Sequence, residues 1–264
     1  MKIGFIGCGN MGSAMIGGIL KKGIYRKEEI IVSNLTEEGS RRSREKLGVV
    51  TTLDNSEVVK QAKTVVLAVK PQFYEEVLTE IREHLTEEHL IIGIAPGKTL
   101  AWLEEACGKQ LKIVRLMPNT PAQVGEGLTG ACFNAKVTEE DRAEIRKLTE
   151  SFGRMEFVPE RLMDAVGAVS GCSPAYVFMF IEAMADSAVA LGMPRKQAYA
   201  FAAQAVLGSA KMVLETGMHP GELKDMVTSP AGTTIEGVRT LEKQGFRSAV
   251  FEALIASAEK GKKL

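Results

Sequence analysis

The chain opens with Met1-Lys2-Ile3-Gly4-Phe5-Ile6-Gly7-Cys8-Gly9-Asn10-Met11-Gly12, in which a short apolar strand leads into the pattern Gly-x-Gly-x-x-Gly. Glycines at this spacing allow a sharp turn, close approach of a pyrophosphate to the backbone, and tight packing of the following helix. We expect that helix at residues 11–22, ended by Gly23, with a second strand at residues 30–32. Its unpaired N-terminal amides favour a phosphate. The opening therefore predicts a dinucleotide site.

Length and charge narrow the possible partners. The chain has 264 residues, which favours two domains, and its 33 Lys and Arg balance its 33 Asp and Glu. Because there is no net charge, nucleic acid and anionic membrane surfaces are not expected to attract it. Small molecules, or further copies of the chain, are the expected partners.

Cysteine and histidine usage predicts an intracellular protein without a metal. The cysteines are Cys8, Cys107, Cys132 and Cys172, and the histidines are His84, His89 and His219. Neither set has the spacing of a disulfide scaffold or a zinc site, so we expect reduced thiols. The first strand leaves no room for a signal peptide, and the uncharged stretch 165–181 is shorter than the ~20 residues of a membrane span. A cytoplasmic location is expected.

Strands and helices are predicted to alternate through the first part of the chain. Apolar, β-branched runs occupy residues 3–6, 30–32, 64–69, 90–94 and 113–116, with weaker ones at 130–133 and 155–158, and helical segments at 37–47, 75–85 and 100–107 lie between the early runs. This alternation indicates an α/β Rossmann-type doubly wound sheet. We expect residues 1–160 to form an NAD(P)-binding domain and residues 161–264 an all-α domain for substrate binding and dimerisation.

In the helical part, Ser173 and Pro174 are expected to start a helix that Gly192 ends. Pro194 is expected to start a second helix that runs toward Gly217, and Pro220 a short third one. The first of these helices contains only two charged residues, Glu182 and Asp186. Such an apolar helix should be buried, and a domain of this size has little interior, so an obligate dimer is predicted. Since the two carboxylates lie four residues apart and repel each other, we expect a nearby cation or partner chain to compensate.

The end of the second strand predicts a preference for NADPH, with NADH possible. An NAD site usually has Asp or Glu there, whereas this chain has Ser33 and Asn34, and Arg41, Arg42 and Arg44 follow in the next helix. Arg41 and Arg42 are our candidates for holding the 2′-phosphate. Arg44 is better explained as part of a solvated helix face.

Two further strand ends and two C-terminal segments contain distinctive sequences. The third predicted strand ends in Ala68-Val69-Lys70-Pro71-Gln72 and the fifth in Arg115-Leu116-Met117-Pro118-Asn119-Thr120-Pro121. Later come Ser170-Gly171-Cys172-Ser173-Pro174-Ala175-Tyr176 and a segment from His219-Pro220 through Leu223-Lys224-Asp225 to Ser229-Pro230-Ala231-Gly232-Thr233-Thr234. Together they closely resemble pyrroline-5-carboxylate reductases over essentially the whole chain, although Ser173 stands where these enzymes often have Gly.

The resemblance implies a Rossmann domain and a helical domain that interlocks with its twin in a dimer, with dimers often assembled further into a decamer. The implied reaction is hydride transfer from NAD(P)H to the C5=N bond of 1-pyrroline-5-carboxylate, which gives L-proline. The implied cofactor contacts are Ile6, Gly7, Cys8, Gly9, Asn10, Met11, Gly12, Ser33, Asn34, Asn55, Ala68, Val69, Lys70, Pro71, Ala95 and Pro96. The implied substrate loop spans residues 229–234, with Ser229, Gly232, Thr233 and Thr234 as contacts.

These residue types suit a cyclic imine that has a carboxylate. A loop before a helix offers free amides and hydroxyls to an anion, and Gly232 permits close backbone approach. The resemblance assigns Thr234 to the ring nitrogen, while either Thr233 or Thr234 could instead cap the helix. The motifs contain no obvious general acid, and a protonated iminium would not need one. His219 is better explained as a helix cap than as a base.

Other functions remain open. Related enzymes for 3-hydroxy acids use a lysine on the first long helix after the Rossmann domain, and residues 175–191 contain none. A reductase of a six-membered piperideine carboxylate is harder to exclude, because one ring carbon is worth only ~1–3 kcal/mol of discrimination. A non-catalytic regulator that senses NADP is the alternative outside enzymes.

Overall fold

The computed structural model describes residues 2–262, within which eight strands form one twisted sheet. The strands are β1 (Ile3–Ile6), β2 (Ile30–Ser33), β3 (Val50–Thr52), β4 (Thr64–Leu67), β5 (Leu90–Gly93), β6 (Lys112–Met117), β7 (Gly127–Phe133) and β8 (Gly153–Phe157). Their order is β3-β2-β1-β4-β5-β6-β7-β8, and only β7 runs against its neighbour β6 in the described sheet. The chain leaves β1 in one direction and returns to β4 on its other side, so the carboxyl ends of β1 and β4 form a topological switch point.

Helices cover both faces of the sheet. They are α1 (Asn10–Lys21), α2 (Glu37–Leu47), α3 (Asn55–Gln61), α4 (Tyr74–Ile81), α5 (Leu100–Cys107), α6 (Glu139–Thr149) and α7 (Met163–Val166). Strand residues alternate between two cores, since Phe5 packs with Met15 and Phe152 on one face while Ile6 packs with Tyr74 and Leu103 on the other. The doubly wound sheet predicted from the sequence is confirmed.

The predicted strands are all present, and one strand was missed. β3 has only three residues, one exposed and two partly buried, and α3 is short, so neither gives a periodic signal. As a result, the predicted third strand is β4 and the predicted fifth strand is β6. The helices expected at 37–47 and 100–107 coincide with α2 and α5.

The chain divides into two compact units, one that runs to Cys172 and takes in the chain from Ser257, and one that spans Ser173–Ala256. The division lies later than the change in composition near residue 160. The second unit is helical, with α8 (Ser173–Ala190), α9 (Arg195–Thr216), α10 (Pro220–Met226), α11 (Thr233–Lys243) and the start of α12 (Phe246–Gly261).

The expectation that Ser173 caps a new helix is wrong. The backbone passes from α7 through a π-helical segment, Gly167–Cys172, directly into α8, so Ser173 is already helical. The other predicted boundaries hold. Pro194 precedes α9, which ends at left-handed Gly217, and the His219 ring caps α10 by accepting a hydrogen bond from the Gly221 amide at 3.0 Å.

The surface of α8 is exposed in the single chain rather than buried. Phe178 and Met179 are 63% and 67% exposed. The continuous helical run Glu160–Ala190 is longer than the uncharged stretch 165–181, and by length and composition alone it could cross a membrane. An exposed apolar helix is equally what a subunit interface requires. As expected, a cation compensates the acidic pair, because Arg195 forms an ion pair with Asp186.

Candidate active site

The glycine turn between β1 and α1 has three different local geometries. Gly7 has φ +92°, and a Cβ there would lie 2.8 Å from the Ala68 carbonyl oxygen, so the turn and its contact with β4 both require glycine. A Cβ on Gly12 would lie 3.1 Å from the Gly7 carbonyl oxygen, which indicates close packing of α1. Around Gly9, by contrast, no atom of the described chain lies within 4 Å of a Cβ position.

The N-terminus of α1 is built for an anion. Gly9 is the N-cap and no side chain of residues 2–262 caps it, and the first turn contains no acidic residue. The first amides of α1 therefore lack a side-chain partner, and the position beside Gly9 is open. A pyrophosphate fits this cradle, which a side chain at Gly9 would fill.

Two residues follow each other at the end of β2, Ser33 with its hydrogen bonds satisfied inside the protein and Asn34 with a hydrogen-bond donor that has no partner among the described residues. Ser33 is fully buried, and its carbonyl accepts the Gly7 amide at 3.0 Å while its hydroxyl donates to Asn55 Oδ1 at 2.6 Å. Asn34 Nδ2 is buried and has no hydrogen-bond partner within the described part of the chain. An unsatisfied buried donor is costly, so this amide is suited to an acceptor from a bound molecule.

The arginines of α2 differ in their partners. Arg42 pairs with Glu38 at 3.5 Å and Arg44 with Glu37 at 4.0 Å, both on the same helix. Arg41 is exposed and makes no ion pair among residues 2–262. Arg41 and Arg42 were equal candidates from the sequence, but in the structure only the charge of Arg42 is compensated by an ion pair among the described residues.

Beyond β4 and β5, a residue that the sequence analysis missed ties two predicted cofactor segments together. The Tyr74 hydroxyl donates to the Leu67 carbonyl at 2.6 Å and accepts from the Ile94 and Ala95 amides at 3.0 and 3.1 Å. Burial raises the pKa of this phenol above its usual range, so its proton stays in place. Lys70 is exposed, and Pro71 begins a 3₁₀ turn, Pro71–Phe73, that carries the backbone away from the sheet.

Two of the distinctive sequence segments meet within the first unit. Asn119 Nδ2 donates to both the carbonyl and the hydroxyl oxygen of Ser170 at 3.1 Å, and Asn119 Oδ1 accepts the Leu128 amide at 2.9 Å. Ser170 lies in the π-helical segment, where irregular hydrogen bonding leaves backbone groups in need of partners. Asn119 therefore holds the π-helical segment next to β7.

The predicted substrate loop precedes α11 in the second unit. The Gly232 amide donates to the Ser229 carbonyl at 3.0 Å, and a Cβ on Gly232 would clash with the Ser229 hydroxyl, so the close approach that Gly232 permits is to its own loop. Gly232 is the N-cap, without a side-chain cap from the described residues, which means that neither threonine caps the helix. Thr233 and Thr234 form the exposed first turn, and the amides there have no intrahelical partner.

The remaining sulfur and metal candidates do not form a second site. The four cysteines are free thiols, and burial raises the pKa of the Cys107 and Cys132 thiols to about 12, which keeps them neutral. Over residues 2–262 no three His, Cys, Asp or Glu side chains are grouped to hold a metal ion.

Comparisons with known proteins cover both units. Residues 160–264 match the family model for pyrroline-5-carboxylate reductase dimerisation, and residues 2–97 match one described as NADP oxidoreductase, coenzyme F420-dependent. Proteins named pyrroline-5-carboxylate reductase are 51% identical in Escherichia coli K12, over 100% of this chain and 98% of that protein, and 47% identical in Methanosarcina acetivorans, over 100% and 97%. The crystal structure of Plasmodium falciparum pyrroline carboxylate reductase with NADP bound has a TM-score of 0.92 at 35% identity, over 100% of this chain and 97% of that one.

Proposed function

Since this chain belongs to the pyrroline-5-carboxylate reductase family, we propose that its two units hold the two reactants of one reaction, the NAD(P)H-dependent reduction of 1-pyrroline-5-carboxylate to L-proline. It is an oxidoreductase, and the observation that supports this function is similarity over the full length of the chain, which includes both the glycine turn and the loop before α11. The residue roles that follow are our proposals.

The first unit binds the cofactor, which supplies the hydride for the imine carbon. We assign the pyrophosphate to the turn and the start of α1, at Ile6, Gly7, Cys8, Gly9, Asn10, Met11 and Gly12. The open cradle beside Gly9 supports this assignment. Asn34 and Asn55 face the adenosine end, and residues 68–71 with Ala95 and Pro96 border the nicotinamide half at the ends of β4 and β5. Ser33 is buried, so it acts by holding Gly7 and Asn55.

NADPH is the preferred cofactor in this proposal, and NADH is also accepted. The unpartnered Asn34 amide and the unpaired Arg41 are the two groups that can meet a 2′-phosphate. Arg42 is the weaker candidate, because Glu38 already compensates its charge.

The second unit grips the substrate through the loop before α11. The first-turn amides and the Ser229 and Thr233 side chains hold the carboxylate, since a helix N-terminus favours negative charge. The Thr234 hydroxyl, which is not spent on capping, contacts the ring nitrogen. Positioning of the imine carbon provides most of the rate enhancement in this arrangement.

The assembly is an oligomer built through the helical unit, for which a dimer is the basic form. The family model for dimerisation covers residues 160–264, and exposed apolar side chains such as Phe178, Met179 and Phe251 lie on its helices. Subunit contact explains the apolar run Glu160–Ala190, so we propose a cytoplasmic enzyme rather than a membrane protein. Further association of dimers to a decamer is part of the same proposal.

The direct test is the oxidation of NADPH by the purified protein with 1-pyrroline-5-carboxylate, followed by the loss of NADPH absorbance and the appearance of proline. We expect turnover with this substrate and markedly lower kcat/KM with the six-membered piperideine-6-carboxylate. Equal or higher kcat/KM with the six-membered ring would reassign the substrate. Tight NADPH binding without turnover of either imine would instead support a cofactor-sensing regulator.

A further inference from the structure

A row of hydrogen bonds leads from the glycine turn to an acid on α4. The Gly7 amide donates to the Ser33 carbonyl at 3.0 Å, the Ser33 hydroxyl to Asn55 Oδ1 at 2.6 Å, and Asn55 Nδ2 to Glu80 Oε2 at 2.7 Å. The sequence has no acid at the end of β2, where NAD sites usually place one. The fold brings one there from 25 residues beyond Asn55.

Glu80 fixes the direction of the two side-chain hydrogen bonds in this row. An ionised carboxylate only accepts, so the Asn55 amide must turn its Nδ2 toward Glu80 and its Oδ1 toward Ser33. The Ser33 hydroxyl then has to donate inward to Asn55. The Ser33 hydroxyl proton and one of the two Asn55 Nδ2 protons are therefore committed within the row and do not meet a phosphate.

The negative charge of Glu80 also disfavours a phosphate at this position. It lies one amide side chain away from Ser33, at the end of β2 where the adenosine ribose binds in folds of this type. A carboxylate there repels the 2′-phosphate of NADPH and leaves the 2′-hydroxyl of NADH unaffected. Asn34 and Arg41 act in the opposite direction, because one offers a free donor and the other a positive charge.

We propose that Glu80 is a specificity-determining residue that acts through Asn55 to weaken binding of the 2′-phosphate and so keeps NADH usable beside NADPH. This inference rests on the proposed cofactor site. Glu80 is exposed and lies outside the two cores of the sheet, so changing it does not threaten the fold. Its hydrogen bond in the described structure is to Asn55 and not to the glycine turn, so it is a positioning residue rather than a catalytic one.

The test measures binding of the adenosine end alone. Adenosine 2′,5′-bisphosphate and ADP are titrated by calorimetry into the full chain and into Glu80→Gln, which keeps an acceptor for Asn55 but loses the charge. We expect the bisphosphate to bind about two- to five-fold more tightly to Glu80→Gln, the range for one partly screened charge pair, with ADP affinity unchanged. The KM ratio of NADPH to NADH should fall by the same factor.

Two further variants distinguish an effect transmitted through the Asn55–Glu80 hydrogen bond from an effect of overall negative charge on α4. In Glu80→Ala the acceptor is lost as well, so Asn55 can reorient, and the preference for the bisphosphate should rise at least as much as in Glu80→Gln. Glu76→Gln removes a charge one turn earlier on α4, from a side chain that makes no hydrogen bond to Asn55 in the described structure, and its ligand preference should stay that of the unmodified chain.

Equal shifts in Glu76→Gln and Glu80→Gln would overturn the proposal, because the effect would then belong to the overall charge. An unchanged preference in both Glu80 variants would overturn it as well. Failure of the unmodified protein to reduce the imine with either cofactor would count against the proposed reaction. The binding titrations would still decide the role of Glu80.

Discussion

A substitution at Gly9 should weaken cofactor binding without destabilising the protein. An added methyl group there meets no described protein atom within 4 Å, and it projects into the space that we assign to the pyrophosphate. We expect Gly9→Ala to raise the KM for NADPH at least ten-fold, which corresponds to about 1.4 kcal/mol or more of lost binding. Its unfolding midpoint should change little.

Gly7→Ala is the contrasting variant. Its φ of +92° and the 2.8 Å approach of a Cβ to the Ala68 carbonyl should cost about 1–2 kcal/mol of folding stability or more. Urea unfolding of both variants checks the pair. A Gly9→Ala protein that lost as much stability as Gly7→Ala would contradict the assignment of that space to a ligand.

Thr234 should be required for turnover. Its hydroxyl is not used for capping, and our proposal places it at the ring nitrogen. Thr234→Val is therefore expected to lower kcat about ten- to a hundred-fold and to leave the helix content unchanged. Thr233→Val, which we assign to the carboxylate, should act mainly on the KM for the imine. Steady-state kinetics of the two variants, measured side by side, tests this difference. Equal effects on kcat and KM in both variants would refute separate roles.

The two neighbouring arginines of α2 should behave differently. Arg41→Ala is expected to raise the KM for NADPH by about five-fold or more and leave that for NADH unchanged, since a charged contact to phosphate is worth about 1–3 kcal/mol. Arg42→Ala should have a smaller effect, because Glu38 already pairs with it. The double variant should raise the KM for NADPH far more than that for NADH. Equal changes in the two constants would exclude a 2′-phosphate role.

Among the elements, α4 has a structural role at the cofactor edge through Tyr74. In Tyr74→Phe the Leu67 carbonyl and the Ile94 and Ala95 amides all lose their partner in a buried place, so we expect a loss of about 3 kcal/mol in unfolding free energy and a higher KM for both cofactors. Tyr25→Phe removes one hydrogen bond, to Glu144, and should cost about 1 kcal/mol. Urea unfolding with unchanged m values tests the difference.

The elements show what a sequence can and cannot predict. Long apolar runs such as those of β1, β4 and β5 were identified because burial on both sides makes them continuous. β3 was missed because three half-exposed residues give no period. Helix ends at Gly192 and Gly217 followed from local backbone chemistry, whereas the π-helical entry into α8 depends on tertiary packing.

The candidate site also has features that could be predicted from the sequence and features that could not. The glycine turn could be predicted because its requirements are local to six residues of backbone. Tyr74 gave no signal, since its three partners lie on two other segments of the chain. The pairing of Asn119 with Ser170, 51 residues apart, and that of Asn55 with Glu80 likewise arise only from the fold. The assignment of Arg41 and Arg42 to the 2′-phosphate stays a prediction, although the Glu38–Arg42 spacing of four residues on one helix is a local signal that could have separated the two arginines.

At the scale of the whole molecule, the helical unit should not persist as a monomer. Its exposed apolar side chains need a partner surface, so we expect the unmodified protein to sediment as a dimer or a larger assembly. Met179→Glu should place a charge in that interface and yield monomer or aggregate, whereas Leu53→Glu, on an exposed apolar residue of the other unit, should leave the assembly intact. A stable monomeric wild-type chain would contradict the proposed dimer.

The backbone of Ala231 affects both the stability and the mobility of the loop before α11. Across residues 2–262 Ala231 is the one non-glycine residue with positive φ, at 54°, and a left-handed alanine costs about 1–2 kcal/mol. Replacement by glycine would relieve that strain but would widen the freedom of the unfolded chain, so we expect Ala231→Gly to change the free energy of unfolding by less than the strain itself. Glycine would also free the loop to sample many conformations in the absence of substrate. Because a less mobile loop loses less entropy on binding, we expect Ala231→Gly to bind the imine more weakly than the unmodified chain.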